Sequence, residues 1–248
     1  MAEQLSGDDL MAVHAATLFV LDDEGRIVRE NDPDESAGPL AFVTSTGLRQ
    51  GLHRHVTLAD DLARHLAGCV GRFPAWRDPD EAPAALPAMR ALLAAGRGRC
   101  DVERVLIHHL PRQCAPSGPF EVVASGTDAG DALVERLRRQ GLPPHLVAAG
   151  FVGLADFWAP WCAMLVDGTI ASLAFAARLG RAGAEIGVHT FPPWRSRGLA
   201  AAAAAHWAGH PDLAGKALFY STAFDNRSSR RVAGRLGLEL FAWGLRFG

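Results

Sequence analysis

The chain has 248 residues, 49% of them hydrophobic and 21% charged, with a formal net charge of −2; this suits one large or two modest domains with buried cores and excludes a disordered or fibrous chain. Near-neutral charge leaves no electrostatic footprint for nucleic acid, and no apolar run is long enough to span a membrane. Cys69, Cys100, Cys114 and Cys162 form no CxxC pair, which speaks against a zinc or redox motif, and the acidic start MAEQLSGDDL lacks the pattern of a secretory signal, so a cytoplasmic protein is expected.

In chain order, residues 17–21 and 26–29 flank an Asp-Asp-Glu-Gly turn like a hairpin, and 40–44 and 52–56 read as further strands. Thr57 caps a predicted helix over 58–69 that puts Leu58, Leu62 and Leu66 on one face, and residues 86–95 form a second apolar helix. The Pro-rich segment at 111–119, PRQCAPSGP, favours extended or turn backbone and marks a boundary between a unit over 1–115 and one over 116–248. The first unit is net acidic and the second net basic, which suits a polyanionic ligand in the second. Lys216 is the only lysine, as in a GC-rich bacterial coding bias.

The second unit opens with a strand at 120–124, an amphipathic helix at 131–140 and a proline-started helix at 144–149. Strands at 161–166 and 169–176 meet at Asp167-Gly168, a pair suited to a tight hairpin. A strand at 185–190, a helix at 198–208, a strand at 217–223, a helix at 227–236 and a last strand at 238–243 complete it.

Chemistry concentrates where the strand at 185–190 runs through a turn into the helix at 198. The first-turn amides of a helix have no intrahelical acceptor, and the helix dipole adds positive character there. Gly198 permits close backbone approach, Arg195 and Arg197 add charge, and the run Ala200 to Ala205 keeps the helix thin. Arg195, Gly198 and Ala200 match Arg/Gln-x-x-Gly-x-Gly/Ala, and FDNRSSRRVA followed by Leu236-Gly237-Leu238 matches a second motif; over about residues 119–248 the chain resembles the GNAT superfamily of N-acetyltransferases.

That resemblance implies a mixed α/β (α+β) fold: a splayed mixed sheet flanked by helices, here preceded by a smaller α+β N-terminal unit. It implies acetyl-coenzyme A as co-substrate, with pantetheine along Val188, His189 and Thr190, pyrophosphate on Arg195, Ser196, Arg197, Gly198, Leu199, Ala200 and Ala201, and a contact from Asn226, which otherwise reads as a helix cap. The acceptor is expected to be a primary amine on a small molecule or peptide, attacking the thioester directly, with an amide near Val188 stabilising the oxyanion. Glu185 is the first choice of base, with His189 and Asp156 behind it.

Many family members carry a tyrosine seven residues after the motif asparagine, where it protonates the leaving thiolate; this chain has Ala233 there, so Tyr220 and Ser229 are the candidate substitutes. The missing tyrosine also motivates an alternative reading, a non-catalytic acyl-coenzyme A sensor or interaction protein. His53, His55, His108 and His109 invite thought of a metal, but no third ligand is identifiable and no metal is expected. The N-terminal half carries no motif and resembles either a decayed copy of the C-terminal unit or a PAS-like sensor; a monomer and a homodimer both remain open.

Overall fold

The computed structural model describes residues 7–95, 98–113 and 120–248. Helix α1 (Gly7–Leu18) leads into the hairpin β1 (Phe19–Leu21) and β2 (Ile27–Glu30), then β3 (Ala41–Ser45), β4 (Gln50–Arg54), α2 (Asp60–Arg72), α3 (Leu86–Ala94) and β5 (Val102–His109). There follow β6 (Glu121–Ala124), α4 (Asp128–Gln140), α5 (Pro144–Val147), β7 (Trp161–Val166), β8 (Thr169–Leu179), β9 (Gly183–Thr190), α6 (Leu199–Ala208), β10 (Ala217–Ala223), α7 (Arg227–Arg235) and β11 (Glu239–Phe247).

Local chemistry sets several of these boundaries. Asp167 and Gly168 both take positive φ, 50° and 70°, which matches the right-handed twist of the strands they join. Thr127 accepts a hydrogen bond from the Gly130 amide to start α4, and Asn226 does the same for α7 with the Ser229 amide at 3.0 Å. Helix α6 is almost wholly buried, so its apolar residues surround it rather than forming a stripe.

Apart from the β1–β2 hairpin, all strands join one sheet in the order β4-β3-β11-β5-β10-β9-β8-β7-β6. Each neighbouring pair is antiparallel except β9 and β10, which run parallel. This is the expected mixed α/β architecture of helices flanking a splayed sheet. The segment before residue 115 is woven into it: β5 lies between β10 and β11, and Leu106 packs in one core with Leu66, Met89, Leu93, Trp243, Leu245 and Phe247. The described residues on either side, in 7–113 and 120–248, therefore share a sheet and a core, and the Pro-rich connection at 114–119 lies outside the described residues.

Helices α2, α3, α6 and α7 cover one face of the sheet; α1, the β1–β2 hairpin and α4 cover the other. Buried Glu30 of β2 ties the hairpin to the sheet by accepting from Arg178 of β8 and Arg246 of β11. Some elements depart from the sequence reading: α2 starts at Asp60 behind Ala59 with no side-chain cap, and the Thr57 hydroxyl pairs with His55 instead. Residues 17–18 belong to α1 rather than to a strand, with the Thr17 hydroxyl bonding back to the Val13 carbonyl at 2.7 Å. Residues 102–109, read only for their paired histidines, form a central strand.

Candidate functional site

The parallel pairing of β9 with β10 is short. It joins Gly183 to Ala217, Ala184 to Leu218 and Glu185 to Phe219, and then stops. Past this fork β9 stays on β8 as far as Thr190, while β10 stays on β5. The β8–β9 register slips between Ala176 and Arg178, level with Ile186 and Glu185, and such a bulge bends the strands where the fork opens. In-plane groups alternate along a strand: the Phe191 amide bonds β8 at Ala171, so Ile186 and Val188 turn their backbone groups toward β10; the Ile186 amide closes the last rung of the ladder on the Phe219 carbonyl, and the Ile186 carbonyl and the Val188 groups face the opened gap.

The gap is a cleft of about 760 Å³. Its β9 wall is Val188, His189 and Thr190; its far wall comes from Tyr220 on β10 and from Asn226, Ser229, Arg231 and Arg235 at and along α7. The end is closed by Arg195, Ser196, Gly198 and the first turn of α6. In that turn Ser196 has φ 64° and Gly198 φ 86°, a backbone path that turns successive amides toward one concavity. Arg195 Nε donates to the Thr190 carbonyl at 3.1 Å and so holds the turn against the end of β9. A Cβ built on Gly198 would lie 2.6 Å from Arg235 Nη1, which places that guanidinium directly against the helix start. Among the described residues three arginines line the cleft and no carboxylate does.

Of the residues expected from sequence, Val188, His189, Thr190, Arg195, Ser196, Gly198, Leu199, Ala200, Ala201 and Asn226 converge on this cleft, together with Tyr220 and Ser229. Arg197 is exposed and is not among its lining residues. Tyr220 and Ser229 hold each other, hydroxyl to hydroxyl at 2.8 Å, and burial raises the phenol above its ordinary value of 10, so Tyr220 stays protonated at neutral pH. Ala233 is buried one turn further along α7, and its small side chain places no hydroxyl in the cleft. Tyr220 reaches toward the same helix from the strand instead.

Glu185 lies elsewhere. It is 6% exposed, sits at the fork on the α1 side, and is not among the residues that line the cleft. Its Oε1 accepts the Ser221 amide at 2.6 Å and its Oε2 lies 3.4 Å from His14 Nε2. Asp156 is also committed, accepting the Val152 and Gly153 amides. His189 has a buried Nε2 with no hydrogen-bond partner among the described residues; burial, then the nearby Arg195 charge, lowers its pKa below 6.5 and keeps the imidazole neutral.

The sequence reading missed Arg231 and Arg235, although their i, i+4 spacing on a strongly amphipathic helix was a readable signal. His14 was missed together with α1. The paired histidines have other tasks: His53 lies 3.0 Å from the Gly25 carbonyl, His55 is bonded to Thr57, and His108 lies 3.2 Å from the Tyr220 carbonyl. Among the described residues no group of three His, Cys, Asp or Glu side chains is placed to hold a metal.

No protein-family model matches the sequence, and neither does any curated protein. Among solved structures, an acetyltransferase from the GNAT family of Colwellia psychrerythraea is similar at 14% identity and a TM-score of 0.45, over 99% of this chain and 97% of that one. A GCN5-related N-acetyltransferase of Sphaerobacter thermophilus is similar at 18% identity and a TM-score of 0.43, over 87% and 78% of the respective chains. A chain from Novosphingobium aromaticivorans assigned to the GNAT family is similar at 21% identity and a TM-score of 0.42, over 59% of this chain but only 64% of its own length. What marks the fold in this chain is the fork itself: two parallel strands that part midway, with an Arg-x-x-Gly-x-Ala turn opening the helix beyond. This is the splayed mixed sheet that the resemblance to the GNAT superfamily leads one to expect.

Proposed function

We propose that the protein is an N-acetyltransferase that moves an acetyl group from acetyl-coenzyme A to a primary amine, with the coenzyme held in the β9–β10 cleft. The observation that carries this reading is the convergence, among the described residues, of open strand groups, a helix start and three arginines on one cleft without a carboxylate. A ligand with an extended amide-bearing arm and a phosphorylated end complements both parts: the Ile186 carbonyl and the Val188 backbone offer strand-like partners to the arm, and the Ser196–Ala201 region with Arg195, Arg231 and Arg235 offers donors to the phosphates.

In the reaction the Val188 amide polarises the thioester carbonyl and stabilises the oxyanion. His189, neutral and on the same strand, is the cleft residue whose protonation state suits acceptance of the amine proton. Tyr220, oriented by Ser229, donates a proton to the departing thiolate, the task left open by Ala233. Because a thiol has a reference pKa of about 8.5, this acid accelerates the step without being indispensable.

Thiol release from acetyl-coenzyme A, measured with a panel of polyamines, aminoglycosides, amino acids and peptides, tests the reading. Turnover that requires one class of amine supports it. Coenzyme binding without turnover across the panel would point instead to the acyl-coenzyme A sensor that the missing tyrosine suggests, and absence of any coenzyme binding would refute both.

A further inference from the structure

We infer that Glu185 is a positioning residue, a carboxylate clasp that holds the strand fork open, rather than the base of the reaction. The parity of β10 fixes the starting point. Ala217 donates its amide to Ala182 across the β9 side at 2.9 Å, so Phe219 and Ser221 also turn their amides toward β9. In an unbroken parallel ladder the Ser221 amide would find the next β9 carbonyl, that of Ile186. The fork removes that partner, and a buried amide without an acceptor is costly.

Glu185 supplies the substitute. It is the last β9 residue in the ladder, opposite Phe219, and its Oε1 accepts the Ser221 amide at 2.6 Å. The carboxylate thus occupies the donor that would otherwise draw β10 back onto β9 and close the cleft at its apex. Its other oxygen is buried with no hydrogen-bond partner among the described residues and faces His14 Nε2 of α1 at 3.4 Å; the same ring nitrogen lies 3.1 Å from the Ser221 hydroxyl. His14 is 1% exposed and stacks edge-on against Phe219, so α1 backs the clasp from the face opposite α6. One carboxylate therefore links α1 and β10 at the point where the strands separate. This leaves the Ile186 carbonyl and the in-plane groups of Val188 unclaimed by β10 and available to a ligand.

The role makes a distinction that a base does not. Glu185→Gln loses basicity but keeps an acceptor oxygen at the same reach. Glu185→Asp keeps basicity but falls short by one methylene, about 1.5 Å. The binding readout rests on the proposed coenzyme site, whereas exchange of the Ser221 amide does not. We expect Glu185→Gln to retain coenzyme A affinity within about threefold and to keep the Ser221 amide protected, with its kcat and pH profile close to those of the parent chain. Glu185→Asp is expected to weaken coenzyme A about tenfold and to speed Ser221 exchange at least tenfold, consistent with loss of a hydrogen bond to a charged group. Melting temperatures of both variants verify that they are folded.

The reverse pattern, with Glu185→Gln abolishing turnover at unchanged affinity and removing the acid limb of the pH profile while Glu185→Asp stays active, would overturn the clasp in favour of a base. Unchanged Ser221 exchange in Glu185→Asp would also overturn it. If the parent chain does not bind coenzyme A, the proposed function fails, and Ser221 exchange alone still decides the clasp.

Discussion

Replacing Gly198 by alanine strains two things at once, and the structure separates them. At φ 86° and ψ 0° the residue is left-handed, where an L side chain costs roughly 1–2 kcal/mol. The new Cβ would stand 2.6 Å from Arg235 Nη1, the end of a flexible side chain that can swing aside with little effect on stability. Swinging aside removes that guanidinium from the helix start, and a hydrogen bond to a charged group contributes about 1.5–3 kcal/mol, or about ten- to a hundredfold in affinity. Gly215→Ala is the control, since Gly215 has φ 77° with nothing within 4 Å of a built Cβ and is not among the residues lining the cleft. Denaturation should show a similar loss of about 1–2 kcal/mol in both variants. Calorimetric titration with coenzyme A should show at least a tenfold loss in Gly198→Ala and none in Gly215→Ala. Equal affinities in the two variants would refute the placement of phosphate against this turn.

Other outcomes follow from the same geometry. Arg235→Ala and Arg231→Ala should each weaken coenzyme A by about tenfold, with a shallower salt dependence than the parent chain because fewer charges face the phosphates; unchanged affinity at low salt would contradict their role. Tyr220→Phe should lower kcat about a hundredfold with little change in the coenzyme KM, and the alkaline loss of parent activity should lie above the ordinary phenol value of 10, given the upward shift caused by burial. His108, His189 and His206 all have pKa values lowered by burial below 6.5. The unfolded chain then takes up protons first, so stability should be intact above that value and fall as pH drops below it; a melting temperature flat from pH 7 to 5 would contradict this. Glu30→Ala leaves Arg246 without this carboxylate and Arg178 with Asp32 alone, and should cost about 1.5–3 kcal/mol in chemical denaturation.

The C-terminal elements were legible because each is fixed locally. The Asp167-Gly168 turn, the Ala-rich helix and the Asn226 cap are settled by residues within a few positions of one another. β5 was not legible, since its place between β10 and β11 is set by partners more than a hundred residues away. Helix α1 hid behind Thr17 and Phe19, which favour strands, and only tertiary packing of His14, Ala15 and Thr17 reveals its buried side. The cleft residues from 188 to 201 were readable as a motif, whereas the occupation of Glu185 depends on the Ser221 amide, whose freedom exists only because the strands part. A sequence pattern marks where an acidic residue stands on a strand, but not which backbone donor will claim it.

The central claim, that coenzyme A lies in the fork between β9 and β10 with its phosphates at the start of α6, is tested most directly by amide hydrogen exchange with and without coenzyme A. Protection concentrated at residues 186–190 and 196–201, with the α2–α3 region unchanged, is the predicted result. Binding accompanied by protection elsewhere, and none at Val188 or Leu199 to Ala201, would contradict it.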